Sequence, residues 1–192
     1  MKTLAALLFA IAAADAAAQL NPDTLKEPPS SRWFSIDQTS NGFVAGGNLE
    51  GTAWAFHVQG AAMKRLGDNN STTFSVDGAV IQVVPVPRGT IPGASSNVLD
   101  AHRKFEQEHQ RRNSPKGIEF AEQGFCRGAQ FPHREWTARM PSIRGPVAQA
   151  VVTFEVGDYV LMMVLPFENE MRERAVARTI NDICLSFRRQ KI

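Results

Sequence analysis

The sequence predicts an α+β fold in which helices pack on an antiparallel β-sheet, as in an α/β/α-type sandwich. Three observations favour this fold class. Segments with apolar residues at every second position recur along the chain, and some of them flank two-residue turn signals. Two other stretches carry apolar residues at helical spacing. The composition, 43% apolar and 21% charged, is typical of a folded protein.

The beginning of the chain has the pattern of a cleavable secretory signal peptide. Lys2 precedes an apolar run at residues 4–14, and three alanines at positions 16–18 fit the requirement of signal peptidase. The run is about half as long as a membrane span, and no cysteine for lipid attachment lies near the cleavage site. The expected organisation is a signal peptide at residues 1–18, a flexible leader at 19–32 and one domain at 33–192.

Charge and hydropathy limit the class of partner. The formal net charge of +2 is too small to favour nucleic acid or an acidic membrane surface. No apolar run beyond the leader reaches the length of a membrane span. We therefore expect a periplasmic or secreted protein with no membrane span, no lipid anchor and no nucleic-acid partner.

The chain contains two cysteines, Cys126 and Cys184. In an oxidising compartment an even pair predicts one disulfide. Closing a loop of this length stabilises a fold by about 4 kcal/mol in the chain-entropy account. The alternative, a reactive thiol, needs an activating neighbour, and the nearest cation in sequence to Cys126 is Arg127. The sequence therefore favours a structural disulfide.

In the first half of the domain, alternation predicts three strands. Residues 52–58 alternate as a half-buried strand, and the GGNLEG segment before them has turn chemistry. Residues 74–86 predict a hairpin around the dipeptide Asp77-Gly78. Pro85 and Pro87 cannot donate ladder hydrogen bonds, so they predict an edge position or a strand end.

The first helix is predicted to begin at the N-cap Asn97, with Asp100 in its first turn, and to end at residues 115–117. Its predicted apolar face includes two histidines, and its members are Val98, Leu99, His102, Phe105 and His109.

The second half carries more strand signal. Residues 118–125 and 131–140 are predicted strands, and residues 148–156 and 159–165 predict a hairpin around Gly157-Asp158. The returning strand is apolar at every position, which is typical of a central strand covered on both faces. The best helix pattern runs from Asn169 to Arg189, with a buried stripe at Val176, Ile180, Ile183, Cys184 and Phe187.

The first predicted helix carries a candidate metal site. His102, Glu106 and His109 recur at i, i+4 and i+7, so all three lie on one helix face. Imidazole and carboxylate groups are ligands for zinc or copper, and His57 or His133 could complete the set. The His-Glu-x-x-His zinc motif is absent. The alternative is that these histidines are half-buried residues of an amphipathic helix.

Catalytic motifs are missing from the sequence. It contains no Gly-x-Ser-x-Gly nucleophile elbow and no phosphate-binding loop. Cys126 and His133 lie seven residues apart and could form a thiol–imidazole pair, but a disulfide explains Cys126 more simply. We therefore predict no catalytic residues and no cofactor.

A segment that mixes basic and aromatic residues, RGAQFPHREW, is a candidate recognition surface. Arg134 and Trp136 would be its anchors, because Arg and Trp are enriched at the centres of protein interfaces. The alternative is a strand with one solvated charged face.

The second predicted helix ends in the pattern Ile-x-x-Ile-x-x-Ser-Phe, here at Ile180, Ile183, Ser186 and Phe187. With the order of elements before it, this ending resembles the PsbP-like and DcrB-like superfamily over residues 33–189. The resemblance implies an α/β/α sandwich around an antiparallel sheet and an accessory or binding role without a shared catalytic set. Many bacterial members are lipoproteins, whereas this chain has no lipobox cysteine. No family site motif is matched, so the resemblance assigns no functional residues.

Taken together, these observations predict an exported, non-catalytic binding or accessory protein that contacts another envelope or secreted protein. One specific form is an immunity protein, which blocks the active site of a toxin. The alternative function is a metal-binding protein or hydrolytic enzyme that uses the face of His102, Glu106 and His109. Stoichiometric metal that is lost in His102→Ala would distinguish the alternative.

Overall fold

A computed structural model describes residues 33–67, 72–95, 97–113, 117–140 and 147–192. The predicted signal peptide and flexible leader lie outside the described residues. Antiparallel strands and two helices make up the described part, which confirms the α+β class. The strands form two sheets, whereas the sequence predicted one. None of the helices in these ranges combines the length and apolar character that crossing a membrane requires.

The smaller sheet has four strands in the order β1-β2-β3-β11. Their bounds are β1 Ser35–Thr39, β2 Gly42–Leu49, β3 Thr52–Gln59 and β11 Arg188–Lys191. The turn between β2 and β3 uses Glu50 and Gly51, both at positive φ. Such a turn matches the twist of a hairpin.

The larger sheet has seven strands in the order β4-β5-β6-β10-β9-β8-β7. Their bounds are β4 Met63–Arg65, β5 Thr73–Val76, β6 Ala79–Pro87, β7 Glu119–Glu122, β8 His133–Met140, β9 Val147–Val156 and β10 Tyr159–Phe167. Both predicted hairpin turns are present, since Val76 pairs with Ala79 and Val156 pairs with Tyr159. Strand β10 is central and buried along almost its whole length, as its apolar run predicts.

Two helices complete the fold, α1 at Val98–Asn113 and α2 at Glu170–Ser186. Each begins at an asparagine whose side-chain oxygen accepts a backbone N–H of the first turn. Asn97 accepts from Asp100 at 3.1 Å, and Asn169 accepts from Arg172 at 3.0 Å. Both caps satisfy N–H groups that the helix itself leaves without partners.

The larger sheet separates two apolar regions. On one face, α1 covers a small cluster that includes Val98, Leu99 and Val160. The other face packs against the smaller sheet and α2 in the main core, where the rings of Phe154 and Phe187 stack at 4.0 Å. The sandwich is therefore asymmetric, with one helix on one face and a second sheet plus a helix on the other.

The predicted end of the second helix at Arg189 is wrong. The helix stops at Ser186, and residues 188–191 form β11, which pairs with Thr52–Ala55 of β3. Phe187 is fully buried at the junction. The basic residues that favour the negative end of a helix dipole are equally suited to an exposed edge strand, so the sequence did not distinguish these two structures.

The reading of GGNLEG as a turn is correct only for its last residues. Gly46 and Gly47 lie inside β2, and a Cβ atom on Gly47 would come within 1.5 Å of the carbonyl oxygen of Trp33. Glycine is required there because another backbone segment approaches closely, not because the chain turns.

Pro85 and Pro87 both lie in β6 and pair with β10, and β6 ends at Pro87, as the sequence predicted for one of the two prolines. Strand β5 pairs only with Ala79–Gln82 of β6. The proline half of β6 therefore has one flanking strand, β10, in the described sheet. It is a local edge inside a larger sheet, which is where proline is tolerated.

Candidate functional site

A polar cleft of about 440 Å³ opens where α1 passes over the beginning of β8. Strand β7 pairs only with Trp136–Arg139 of β8, so the first residues of β8 lie beyond its end. The cleft is lined by charged or polar side chains, namely Asp100, Arg103, Glu122, Gln123, His133, Arg134 and Glu135. We call this feature the α1–β8 cleft.

Ion pairs between neighbouring elements line the cleft. Arg134 of β8 binds the carboxylate of Asp100 through two nitrogens, with Nη2 at 2.9 Å from Oδ2. Arg103 pairs with Glu122 and lies 3.8 Å from Asp100. The hydrogen bond from Arg134 lowers the pKa of Asp100, and the same contact raises the pKa of Arg134. Positive and negative charges therefore alternate along one surface.

Glu135 fixes the loop beside the cleft. Its Oε2 accepts the backbone N–H of Phe125 at 2.9 Å and that of Cys126 at 3.2 Å. Burial raises the pKa of Glu135, while these two hydrogen bonds act in the opposite direction. The carboxylate thus holds Cys126 against the first residues of β8.

His133 is oriented by the backbone. Its Nδ1 lies 3.1 Å from the carbonyl oxygen of Phe131. A carbonyl can only accept, so Nδ1 carries the proton. In the neutral ring, Nε2 therefore has a free lone pair that can bind a proton or a metal ion.

The structure brings Cys126 and Cys184 within disulfide-bonding distance, with their Cα atoms 5.4 Å apart and a sequence separation of 58. This is the pairing that the sequence predicted. It links the loop beside the cleft to the last turns of α2. Cys184 is fully buried, and Cys126 is at the border of the core.

The ligand atoms of Cys126, His133 and Glu135 all lie within 4.8 Å of one another. In the described ranges, this is the group of three or more His, Cys, Asp or Glu side chains close enough to hold one metal ion. The predicted set of His102, Glu106 and His109 is not such a group. The structure therefore places a different cluster beside the cleft from the one that helical spacing suggested.

His102 and Glu106 lie on the buried face of α1. Nε2 of His102 is 3.7 Å from Oε1 of Glu106, and the two residues are 0% and 6% exposed. Burial lowers the pKa of His102 to about 4 and raises that of Glu106 to about 7. Although the distance would suit an ion pair, both groups are neutral between these values. Neither nitrogen of His102 has a hydrogen-bond partner among the described residues.

His109 lies at the outer part of the helix, where its Nε2 is 2.8 Å from the side-chain nitrogen of Asn113. It is partly buried, and burial together with Arg112 lowers its pKa. His102 and Glu106 therefore lie next to each other, as their helical spacing predicts, whereas the imidazole of His109 contacts Asn113 instead.

The two predicted recognition anchors occupy different environments. Arg134 lines the α1–β8 cleft, in an ion pair with Asp100. Trp136 is 0% exposed and packs beneath α1, with its ring centroid 6.5 Å from that of His102. In this structure the indole cannot contact a partner, because the helix covers it.

The fourth histidine, His57, belongs to the smaller sheet. Its Nε2 lies 3.4 Å from the hydroxyl of Thr39. Its charge lowers the pKa of Asp182, against a larger effect of burial that raises it.

Sequence reasoning missed five residues of the cleft, namely Asp100, Arg103, Glu122, Gln123 and Glu135. Glu135 lies inside the RGAQFPHREW segment, two residues from His133, so the segment carried a signal for it. Glu122 carried none, because its position depends on the pairing of β7 with β8.

Comparison with known proteins adds no relative. A scan against protein-family models finds no match, and a search of the curated proteins finds none. The resemblance to the PsbP-like and DcrB-like superfamily therefore stays a prediction.

Proposed function

We propose that this protein is an exported, non-catalytic binding module that recognises another envelope or secreted protein through the α1–β8 cleft. An immunity-type role, in which the bound partner is a toxin, is the specific form of this proposal. The observation that carries it is the cleft itself, a concave surface of about 440 Å³ lined by charged groups of both signs.

The charge pattern supports a protein partner over a polyanion. Arg134 and Arg103 each face a carboxylate, so the cleft has no excess of positive charge. Nucleic acids bind surfaces with such an excess. A protein partner that presents a carboxylate to each arginine and a cation to each acidic group of the cleft can form ion pairs across the interface. Such complementary charges favour specificity and rapid association.

The burial of His102 and Glu106 disfavours the hydrolytic alternative. These two groups have strongly shifted pKa values, as catalytic residues often have. Both are covered by the body of α1, at 0% and 6% exposure. A substrate could reach them only if the helix moved, whereas burial alone accounts for both shifts.

The test is comparative affinity capture from envelope extract and growth medium with tagged wild-type protein and two charge reversals. Glu122→Lys changes a cleft residue whose side chain is 76% exposed. Glu168→Lys is the matched control, because it is the same substitution at an exposed residue between β10 and α2. We expect one protein to be retained by wild type and Glu168→Lys and depleted at least 10-fold with Glu122→Lys.

Equal retention by all three proteins would contradict binding through the cleft. Metal analysis of the same samples tests the alternative function. Stoichiometric zinc or copper that is lost in His102→Ala, without a co-purifying protein, would overturn the binding-module proposal.

A further inference from the structure

The cluster beside the α1–β8 cleft combines three ligand types on two segments. Cys126 lies on the loop after β7, and His133 and Glu135 lie two residues apart at the beginning of β8. Residues i and i+2 of a strand point to the same face, so the imidazole and carboxylate converge on the loop. Sulfur, nitrogen and oxygen ligand atoms are gathered within 4.8 Å.

Two of the three ligands are already oriented by a second contact. The carbonyl of Phe131 fixes the His133 ring with Nε2 available, and Glu135 is held by the N–H groups of Phe125 and Cys126. Contacts of this kind orient ligands in zinc proteins. A tetrahedral zinc ion separates its ligand atoms by about 3.5 Å, given bonds of about 2.0–2.3 Å. The cluster therefore needs to contract by only about 1 Å.

While the disulfide is intact, the sulfur of Cys126 cannot bind zinc. Zinc binds a thiolate, and a sulfur bonded to Cys184 cannot become one. His133 and Glu135 line the cleft, so an ion can enter from solvent and water can occupy a fourth position. Three protein ligands with an open fourth position is an arrangement that zinc accepts.

We propose that reduction of the Cys126–Cys184 disulfide creates a zinc site formed by Cys126, His133 and Glu135. A dithiol reductant supplies two electrons and two protons, so that the S–S bond breaks, both cysteines become thiols and the dithiol becomes a disulfide. Zinc then binds the sulfur of Cys126, which releases one proton to solvent. The oxidised protein lacks the site.

The test uses Cys184→Ser in the full chain, which leaves Cys126 as the sole thiol and needs no reductant. We expect it to bind one zinc ion, measured by competition with a chromophoric chelator. With Co²⁺ it should show the near-ultraviolet absorption of a thiolate–cobalt bond. Cys126→Ser is the matched control, because it leaves one thiol at the buried Cys184.

Oxidised wild type and Cys126→Ser should bind zinc at least 10-fold more weakly than Cys184→Ser. Adding His133→Ala to Cys184→Ser should weaken binding by a similar factor. Equal binding in any of these three comparisons would overturn the proposal.

If Cys184→Ser does not fold, wild type treated with a phosphine reductant provides a second test. It should gain the cobalt–thiolate absorption on reduction. Absence of that absorption from both reduced wild type and Cys184→Ser would overturn the proposal.

Discussion

At the scale of single residues, the buried face of α1 keeps two ionisable groups uncharged. His102 and Glu106 are in contact, yet burial shifts their pKa values in opposite directions, to about 4 and about 7. An uncharged pair avoids the large cost of placing ions in an apolar environment. This explains how a helix can bury Glu106 beside His102 without a cation.

The two shifts have opposite effects on stability. The unfolded chain binds a proton at His102 near pH 6.5, whereas the folded protein does so near pH 4, so stability from neutral His102 is lost as pH falls through that window. Glu106 releases its proton near pH 4.5 when unfolded and near pH 7 when folded, so its contribution is lost as pH rises. Between pH 4.5 and 6.5 the two effects cancel.

Single substitutions should therefore reveal opposite pH slopes. In Glu106→Gln only His102 remains, and the free energy of unfolding should fall between pH 6 and pH 5 by up to about 1.4 kcal/mol. In His102→Leu only Glu106 remains, and it should rise by a similar amount. Urea unfolding at both pH values measures this difference. Slopes of the same size and sign in the two variants would contradict the assignment of neutral states.

Helical spacing predicted that His102 lies on the apolar face beside Glu106, but it did not predict the burial of Glu106. Spacing fixes which residues share a face, and it cannot tell which part of that face the sheet covers. Phe105 is only half-buried, while Glu106 is covered. Whether a carboxylate next to an apolar stripe is buried can be predicted only when the elements that pack against the helix are known.

At the scale of elements, Ser186 connects the end of α2 to the smaller sheet. Its hydroxyl oxygen accepts the backbone N–H of His57 at 2.8 Å. The same hydroxyl can donate to the carbonyl of Asp182 at 2.6 Å. This contact lies where the helix stops and β11 begins to pair with β3.

Ser186→Ala should lower the free energy of unfolding by about 1–3 kcal/mol, because it leaves the N–H of His57 without its partner. Thr179→Ala is the control on the same helix. The hydroxyl of Thr179 donates to the carbonyl of Ala175, one turn earlier, so its loss should change stability by less than about 0.5 kcal/mol. Equal effects in urea unfolding would show that the Ser186 contact does not stabilise the junction.

The elements that the sequence predicted well are those with local signals. Both Gly-containing turns and the cap at Asn97 are where turn and capping chemistry put them, and the second helix begins close to its predicted start at Asn169. The missed elements, β1, β2, β4 and β11, depend on partners far away in sequence. Strand β11 carries no alternation of its own, and it is defined by pairing with β3, which lies well over 100 residues earlier.

At the scale of the whole molecule, the disulfide ties the cleft side of the larger sheet to the helix of the main core. Its loop spans 58 residues. Reduction should lower the free energy of unfolding by about 4 kcal/mol, because the unfolded chain regains the entropy of that loop. Urea unfolding with and without reductant measures the loss.

The free energy of unfolding of the double variant Cys126→Ala/Cys184→Ala should be the same with and without reductant. This control distinguishes loss of the disulfide from any other effect of the reductant. The oxidised protein, denatured, should show no free thiol. Two free thiols, or no change on reduction, would contradict the bond.

The candidate site could be predicted only in part, since its residues come from three separate elements. His133 and Arg134 were identified from the sequence as candidate site residues. Their grouping with Asp100 depends on how α1 crosses the larger sheet. The periodicity of apolar residues predicts which face of α1 is buried, but not where the helix crosses the sheet.

The pairing of β11 with β3 has a consequence for biosynthesis. The smaller sheet cannot be completed until Lys191 can reach Thr52. Contacts of such wide sequence separation form late and slowly. Strand β3 is synthesised well before β11, so the edge of β3 that β11 covers has no such partner until residues 188–191 have been made.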